Sequence, residues 1–297
     1  MSSSQDEPWT VLRLLEWTTE FFKKRGSDSP RLDAEILLAH ARDCPRIGLY
    51  TSFADVPGEE QLVAFRELVR RRGEGAPVAQ LVGYREFYSL RFRVDEHVLI
   101  PRPETEHLVI EAIDVAKKLN LTNRPLRIAD VGTGSGVIAI TLAKQLPQVE
   151  IIAVDQSPAA LAIARWNAEQ LTPAASIEFV ESDLFAAIDP DQTFDIICSN
   201  PPYVSEAEYD ELPSTVRDYE PREALVAGFQ GTEVIDRLLH QAPARLNSGG
   251  QIIIELSPMI AERCLEIVDE IEALHDARLI KDFDGHQRIL SVGRTLS

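Results

Sequence analysis

Asn200-Pro201-Pro202-Tyr203 follows directly on the apolar run Phe194-Asp195-Ile196-Ile197-Cys198-Ser199. Its residue types suit chemistry on a planar amino group. Each proline lacks a backbone N–H and fixes φ, so a strand over the apolar run must end at Asn200. The peptide units that follow are stiff and extended. The Asn200 side-chain oxygen and the Pro201 carbonyl are thereby left as acceptors at the carboxyl end of a strand, the edge of an open α/β sheet where ligands bind. Two acceptors side by side match an –NH2 group with two hydrogens to donate, and Tyr203 offers a flat face to stack on it. The plain alternative is a turn that happens to contain Asn and two prolines.

Such a motif needs a sheet to hold it, and the chain supplies the pattern of one. From residue 126 onwards strand and helix signals alternate, with strands near 126–131, 150–154, 177–181, 194–199 and 250–256. Alternation at this pitch implies a parallel sheet covered on both faces. Residues 277–283 and 287–293 are strand-like and joined only by Asp284-Gly285-His286, which permits an antiparallel pair alone. A mostly parallel sheet closed by an antiparallel hairpin resembles the class I methyltransferase (Rossmann-like) α/β fold. Upstream, residues 8–73 read as three short helices in a small bundle. One carries Val11, Leu14, Leu15, Phe21 and Phe22, one starts at Ser29-Pro30, and one carries Leu62, Phe65, Leu68 and Val69 and ends in Arg70-Arg71-Arg72. That basic run reads equally as cations at a helix C-terminus or as a partner contact. Between bundle and sheet, Phe87 to Val94 alternates as a strand that Val98-Leu99-Ile100 could pair with. The expected organisation is a helical domain over 1–75, a β-hairpin linker over 76–103 and a catalytic domain over 104–297.

After the strand Leu126 to Val131 comes Gly132-Thr133-Gly134-Ser135-Gly136 and then a helix. Glycines there let backbone approach a ligand at a helix N-terminus. The dinucleotide fingerprint spaces its third glycine one residue later. The tighter form, with Asp130 before it, resembles S-adenosylmethionine sites, whose ligand is cationic and has no pyrophosphate for the acid to repel. Asp155 ends the next strand, where a carboxylate can accept from both ribose hydroxyls. Asp183 and Leu184, after the third strand, are placed for the amino group and the ring of an adenine. Each acid taken singly could be an ordinary cap or loop residue.

Composition narrows the class. The chain has 297 residues and a net charge of −18; residues 1–72 hold 11 basic against 12 acidic side chains, so nearly all of the excess falls on residues 73–297. A domain so acidic repels a phosphate backbone at long range, and no direct nucleic-acid substrate is expected. No apolar run approaches the length of a bilayer span, and the N-terminus has no signal-peptide core. The three cysteines suggest neither a disulfide framework nor a metal site. A cytoplasmic, metal-free monomer that makes no membrane contact is the expectation.

Three further segments resemble one family, the release-factor glutamine methyltransferases. They are Gly83-Tyr84-Arg85-Glu86-Phe87, Val98-Leu99-Ile100-Pro101-Arg102-Pro103-Glu104-Thr105-Glu106, and Glu220-Pro221-Arg222-Glu223-Ala224-Leu225. Arg31 to Leu38 is similar to that family's helical domain. The resemblance implies a protein-glutamine N5-methyltransferase that uses S-adenosyl-L-methionine. Its substrate would be the glutamine of the Gly-Gly-Gln motif of peptide-chain release factors, recognised by the helical domain. It implies that Asn200, Pro201, Pro202 and Tyr203 bind and orient the substrate amide. It also implies that Asp130, Gly132, Thr133, Gly134, Ser135, Gly136, Asp155, Asp183, Leu184 and Asn200 hold the cofactor. Arg102 and Glu104 either shape the substrate cleft or form a linker ion pair. The chain departs from the family after Ile252-Ile253-Ile254-Glu255, where Leu256-Ser257-Pro258-Met259 replaces the usual glycine and glutamine; this segment is expected away from the site. The chain's own Gly249-Gly250-Gln251 reads as a turn into a strand. Alternatives are a glutamine methyltransferase of ribosomal protein L3, an adenine or guanine amino-group methyltransferase, and a non-catalytic adaptor that keeps the fold.

Overall fold

The computed structural model describes residues 8–119, 121, 123–146 and 148–295. These form two units. The first runs to Gly83 and takes in Ser214–Tyr219; the second comprises Tyr84–Pro213 and Glu220–Ser297.

The helical unit holds α1 (Val11–Lys23), α2 (Pro30–Ala41), α3 (Arg46–Tyr50), α4 (Glu59–Gly73) and α5 (Val78–Val82). Within residues 8–83 two short helices thus join the three read from periodicity, and Ser214–Arg217 adds one more turn to the unit. The expected boundary at residue 75 moves to Gly83, because α5 buries Ala79, Leu81 and Val82 and ends on Gly83 at φ +79°. Pro30 opens α2 as expected, but Ser29 makes no side-chain cap. Instead the Ser27 hydroxyl donates to Asp33 Oδ2 at 2.8 Å and accepts from Ser29 N. Asp33 also receives Arg72 Nε at 2.9 Å, while Arg70 pairs with Glu67 and Glu74. Two of the three basic residues are therefore engaged inside this unit.

The second unit opens with a hairpin, β1 (Tyr84–Phe87) and β2 (Leu90–Arg93). The single strand expected from Phe87 to Val94 is folded back at Tyr88-Ser89, both in the left-handed region at φ +50° and +62°, as a two-residue hairpin turn requires. Val98-Leu99-Ile100 forms no strand; Val98 and Ile100 are buried as loop residues. Nor is the hairpin a separate linker. Phe87 and Phe92 are fully buried in the core beneath α6 (Thr105–Leu119).

The sheet contains β3 (Leu126–Val131), β4 (Val149–Asp155), β5 (Ser176–Glu181), β6 (Phe194–Ser199), β9 (Leu246–Glu255), β10 (Leu274–Lys281) and β11 (Gln287–Arg294). A separate two-stranded pair, β7 (Val204–Ser205) and β8 (Val226–Gly228), lies outside it. The order across the sheet is β10-β11-β9-β6-β3-β4-β5. β11 is antiparallel to both its neighbours and every other pairing is parallel. Side chains alternate between faces. Ile128, Ile151 and Ile196 pack under α6 and α7 (Val137–Gln145), whereas Val131, Ile152 and Ile197 share the other core with Leu238 and Leu239 of α11 (Glu233–Arg245). Each such aliphatic side chain contributes roughly 1.5–3 kcal/mol on burial. Gly249-Gly250-Gln251 lies within β9 rather than in a turn before it. Gly249 at φ +74° accompanies the register shift against β6, and Gln251 pairs with Gly293. The strand order reverses between β3 and β6, whose carboxyl ends form the switch point where such sheets bind ligands.

Candidate active site

Asp130, next to last in β3, is fully buried. Its Oδ2 accepts the Thr133 hydroxyl at 2.6 Å and Ala139 N at 3.1 Å. Its buried Oδ1 has no partner among the described residues. Burial pushes the Asp130 carboxyl up to about 7, and the two hydrogen bonds only partly oppose that. Beyond it the chain winds through Gly132, Gly134 and Gly136, all at positive φ, into α7. A Cβ on Gly136 would lie 2.8 Å from Ile140 Cδ1, so this glycine serves packing. A Cβ on Gly134 would meet nothing within 4 Å, so that glycine faces open space.

Asp155 ends β4 and holds this loop from the side. Its Oδ2 accepts Gly134 N at 2.8 Å and Oδ1 accepts Ser157 N at 2.9 Å. Burial raises its pKa. The carbonyl of Asp155 takes Ser182 N, which places the start of the Ser182-Asp183-Leu184 segment beside it. Leu184 is buried at φ +50°. The Asp183 carboxylate, however, is half-exposed and bound by Arg237 at 2.7 Å, so an adenine amino group would share it with that guanidinium.

β6 is fixed to β3 by the Ser199 hydroxyl, which donates to the Val131 carbonyl at 2.7 Å. Asn200 comes next, and its Nδ2 donates to Thr105 Oγ1 at 3.2 Å. Thr105 is 1% exposed. Glu255, the last residue of β9, is 2% exposed, and its Oε2 has no partner among the described residues. Burial raises this carboxyl to about 7. Burial, then Glu255, pushes the Tyr203 phenol up to about 12, with Arg102, Arg288 and Glu104 also within its field. Tyr203 therefore stays neutral and cannot serve as a base. Arg102 is paired with Glu220, which also accepts Ile100 N at 3.0 Å. The expected alternative of a linker pair with Glu104 gives way to this longer-range bridge.

Sequence reasoning missed three residues of this constellation. Glu255, which precedes the segment expected away from the site, is not remote: Ser199 pairs with Ile254, so the residues that follow, Asn200 and Glu255, emerge side by side. Thr105 was inside a quoted motif but had no role. Asn167, fully buried on α8 (Pro158–Leu171), accepts Arg93 N and donates to the Arg93 and Ser135 carbonyls, tying the hairpin to the glycine loop. An acid ending an apolar strand was the one available signal, at Glu255.

The donor set fits a cationic nucleoside. An orphaned, buried carboxylate oxygen on Asp130, an open face at Gly134 and a carboxylate at the end of β4 are what such a ligand would occupy. Gly134→Ala tests that fit. The expected outcome is a stability loss of roughly 1–2 kcal/mol from a left-handed L-residue, with S-adenosylmethionine affinity lowered more than about tenfold, or 1.4 kcal/mol, because the methyl fills the cleft. Denaturant titration and calorimetric binding check the two halves. Among the described residues no group of His, Cys, Asp or Glu could hold a metal ion, and no helix is long and apolar enough to cross a membrane.

This sheet order, with its glycine loop after β3 and an Asn-Pro-Pro-Tyr motif after β6, defines a class I methyltransferase. The catalytic domain of hMettl16, solved in complex with MAT2A 3'UTR hairpin 6, shares the fold at a TM-score of 0.57 and 17% identity, covering 77% of this chain and 82% of that one. Residues 13–83 match the PrmC N-terminal domain and residues 110–214 the methyltransferase small domain. The release factor glutamine methyltransferase of Rhodopirellula baltica is 64% identical over 98% of both chains. That of Koribacter versatilis is 43% identical over 96% of this chain and 98% of its own. The chain belongs to the release factor glutamine methyltransferase family.

Proposed function

We propose that this protein methylates the side-chain amide nitrogen of the glutamine in the Gly-Gly-Gln motif of peptide-chain release factors, and does so in the cytoplasm. The observation that carries the site assignment is the Asn200 amide. Its Nδ2 donates to buried Thr105, so its oxygen points away from that hydroxyl, and we place it with the Pro201 carbonyl towards the substrate. These two oxygens accept the two hydrogens of the substrate –NH2. An amide nitrogen is a poor nucleophile because its lone pair is delocalised into the carbonyl. Binding both hydrogens turns that lone pair out of the plane of the acceptors and stabilises positive charge as it develops on nitrogen. Pro202 and Tyr203 wall the slot for the flat amide. S-adenosylmethionine, held by Asp130, the Gly132 to Gly136 loop, Asp155 and the Asp183-Leu184 segment, supplies the methyl group. No strong base is needed, since the methylated nitrogen sheds its proton readily, and Tyr203 and the buried Cys198 are both held neutral. The helical unit serves recognition of the release factor.

The test is methyl transfer from labelled S-adenosylmethionine to purified release factor, beside a copy whose Gly-Gly-Gln glutamine is replaced. Label on the first alone is expected. Label on both, or on neither with cofactor binding intact, would move the substrate to another protein or to a nucleic-acid amino group.

A further inference from the structure

Residues 98–106 and 220–225 are joined at one carboxylate. Glu220 is 5% exposed. Its Oε2 accepts Ile100 N at 3.0 Å and its Oε1 accepts the Arg102 guanidinium, so it grips the loop on both sides of Pro101. From there two lines of contact run to the Asn-Pro-Pro-Tyr motif. The Arg102 carbonyl accepts Thr105 N at 3.2 Å, and Thr105 Oγ1 accepts Asn200 Nδ2 at 3.2 Å. On the other side, the turn Arg222–Ala224 carries the chain to Leu225. The Leu225 carbonyl accepts Val204 N at 2.9 Å, one residue beyond Tyr203. We infer that Glu220, paired with Arg102, is a positioning residue that holds the two ends of residues 200–203 at the spacing the substrate amide requires. The inference rests on the proposed role of Asn200.

The loop needs such an anchor. Pro101 and Pro103 have no N–H to donate and restrict the residues before them, so the stretch entering α6 is not held by a backbone ladder. A side chain from elsewhere must fix it. Glu220 does so with a charge-assisted bond to Arg102 and a buried bond to Ile100 N. Because the prolines stiffen the stretch, a shift at Arg102 is passed on to Thr105 rather than absorbed. The same shift turns the Asn200 amide, whose NH2 is bound by Thr105. At the other end, Pro221 links Glu220 to the turn that leads into the pairing of β7 with β8, and so to the backbone beside Tyr203. Gly231 closes on that backbone, since a Cβ there would lie 2.7 Å from the Tyr203 carbonyl oxygen. None of these contacts is made to the glycine loop. Loosening them therefore disturbs the orientation of the amide and spares the cofactor.

The experiment is steady-state methyl transfer to release factor by Glu220→Gln, Arg102→Met and the double variant, with S-adenosylmethionine affinity read by calorimetry and Tm by thermal melting. Glutamine keeps the size of Glu220 and an oxygen for Ile100 N but loses the ionic hold on Arg102. Methionine keeps the stem of Arg102, whose side chain is partly exposed, so this variant tests the pair even where the first does not fold. In each, kcat should fall about ten- to a hundredfold at unchanged cofactor affinity. The double variant should be no slower than the slower single one, because its second change removes a partner already lost. Ile235→Val, a buried change on α11, is the control for stability and should lower Tm while keeping kcat. A parent rate in either single variant, losses that multiply in the double, or a kcat loss in Ile235→Val equal to theirs at the same Tm would each overturn the inference. Asn200→Ala separates the two levels. If it turns over normally, the role of Asn200 itself is wrong. If it is inactive while Glu220→Gln and Arg102→Met are normal, only the brace is.

Discussion

Asn200→Ala should lower kcat for glutamine methylation by about 10²–10³-fold, the scale of losing one preorganised dipole at a reacting centre, with only a modest loss of S-adenosylmethionine affinity. The asymmetry follows from where the residue is held. Asn200 begins where β6 ends, and its side chain is fastened by Thr105 rather than by the glycine loop. In the proposed arrangement, removing it takes one of two acceptors from the substrate –NH2 and leaves one N–H unpaired in a slot walled by proline and tyrosine. The Pro201 carbonyl alone can hold the amide but cannot set its plane, so the lone pair is no longer aligned. KM for the release factor should rise little, because recognition is proposed to rest on the helical unit. Asn200→Asp should fail as well. It supplies an oxygen to the substrate, but it removes the N–H that Asn200 donates to Thr105 and sets a second anion beside Glu255. Turnover of Asn200→Ala within a few-fold of the parent, measured at saturating substrates, would remove Asn200 from the mechanism.

The parts of this molecule that sequence revealed are those where local chemistry admits one conformation. Two prolines end β6 at the predicted residue. Three glycines at alternate positions require the positive-φ loop that is found, and the seven strands fall within a few residues of their apolar runs. What stayed hidden depended on residues meeting at a distance. The hairpin turn at Tyr88-Ser89 uses no glycine or asparagine, so its signature was absent and one strand was read where there are two. The helix α5 lies in a stretch punctuated by glycine and proline, and only burial of Ala79, Leu81 and Val82 explains it. The meeting of Glu255 with Asn200 was not read, because 55 positions separate the two. Parallel register erases that separation, since Ser199 opposite Ile254 brings the two strand ends together. The placement of Asp183 shows the converse case: its position after β5 was as expected, but the Arg237 that binds it comes from α11 and leaves no mark on the local sequence.

The affinity for S-adenosylmethionine should weaken as the pH falls below about 7, by up to tenfold per unit, and Asp130→Asn should flatten that slope. Asp130 is an acid whose folded pKa is raised to about 7 from 3.8, chiefly by burial. The sign for folding is therefore unfavourable at neutral pH. Between about pH 4 and 7 the native state binds a proton that the unfolded chain has lost, so stability declines as the pH rises through that window, by an amount on the order of a few kcal/mol. Above 7 the ionised carboxylate is retained at full cost, with one oxygen unpaired among the described residues. A cationic ligand against that oxygen reverses the balance. It favours the ionised form, lowers the pKa and releases a proton on binding wherever Asp130 was neutral. Below pH 7 an α-amino group, with a pKa of about 7.7–8.0, is already charged and the sulfonium charge does not titrate; the carboxylates left are Asp130 and Asp155, whose pKa burial also raises, and the comparison with Asp130→Asn separates the two. Calorimetric titration from pH 5.5 to 7.5 in two buffers of different ionisation enthalpy reads both the slope and the proton count. Asp130→Asn should bind more weakly at pH 7.5, without proton release, while unfolding at higher denaturant than the parent at the same pH, since it no longer holds a buried charge. Parallel pH profiles for the two proteins would show that Asp130 supports the loop through Thr133 and Ala139 alone and takes no electrostatic part in cofactor binding.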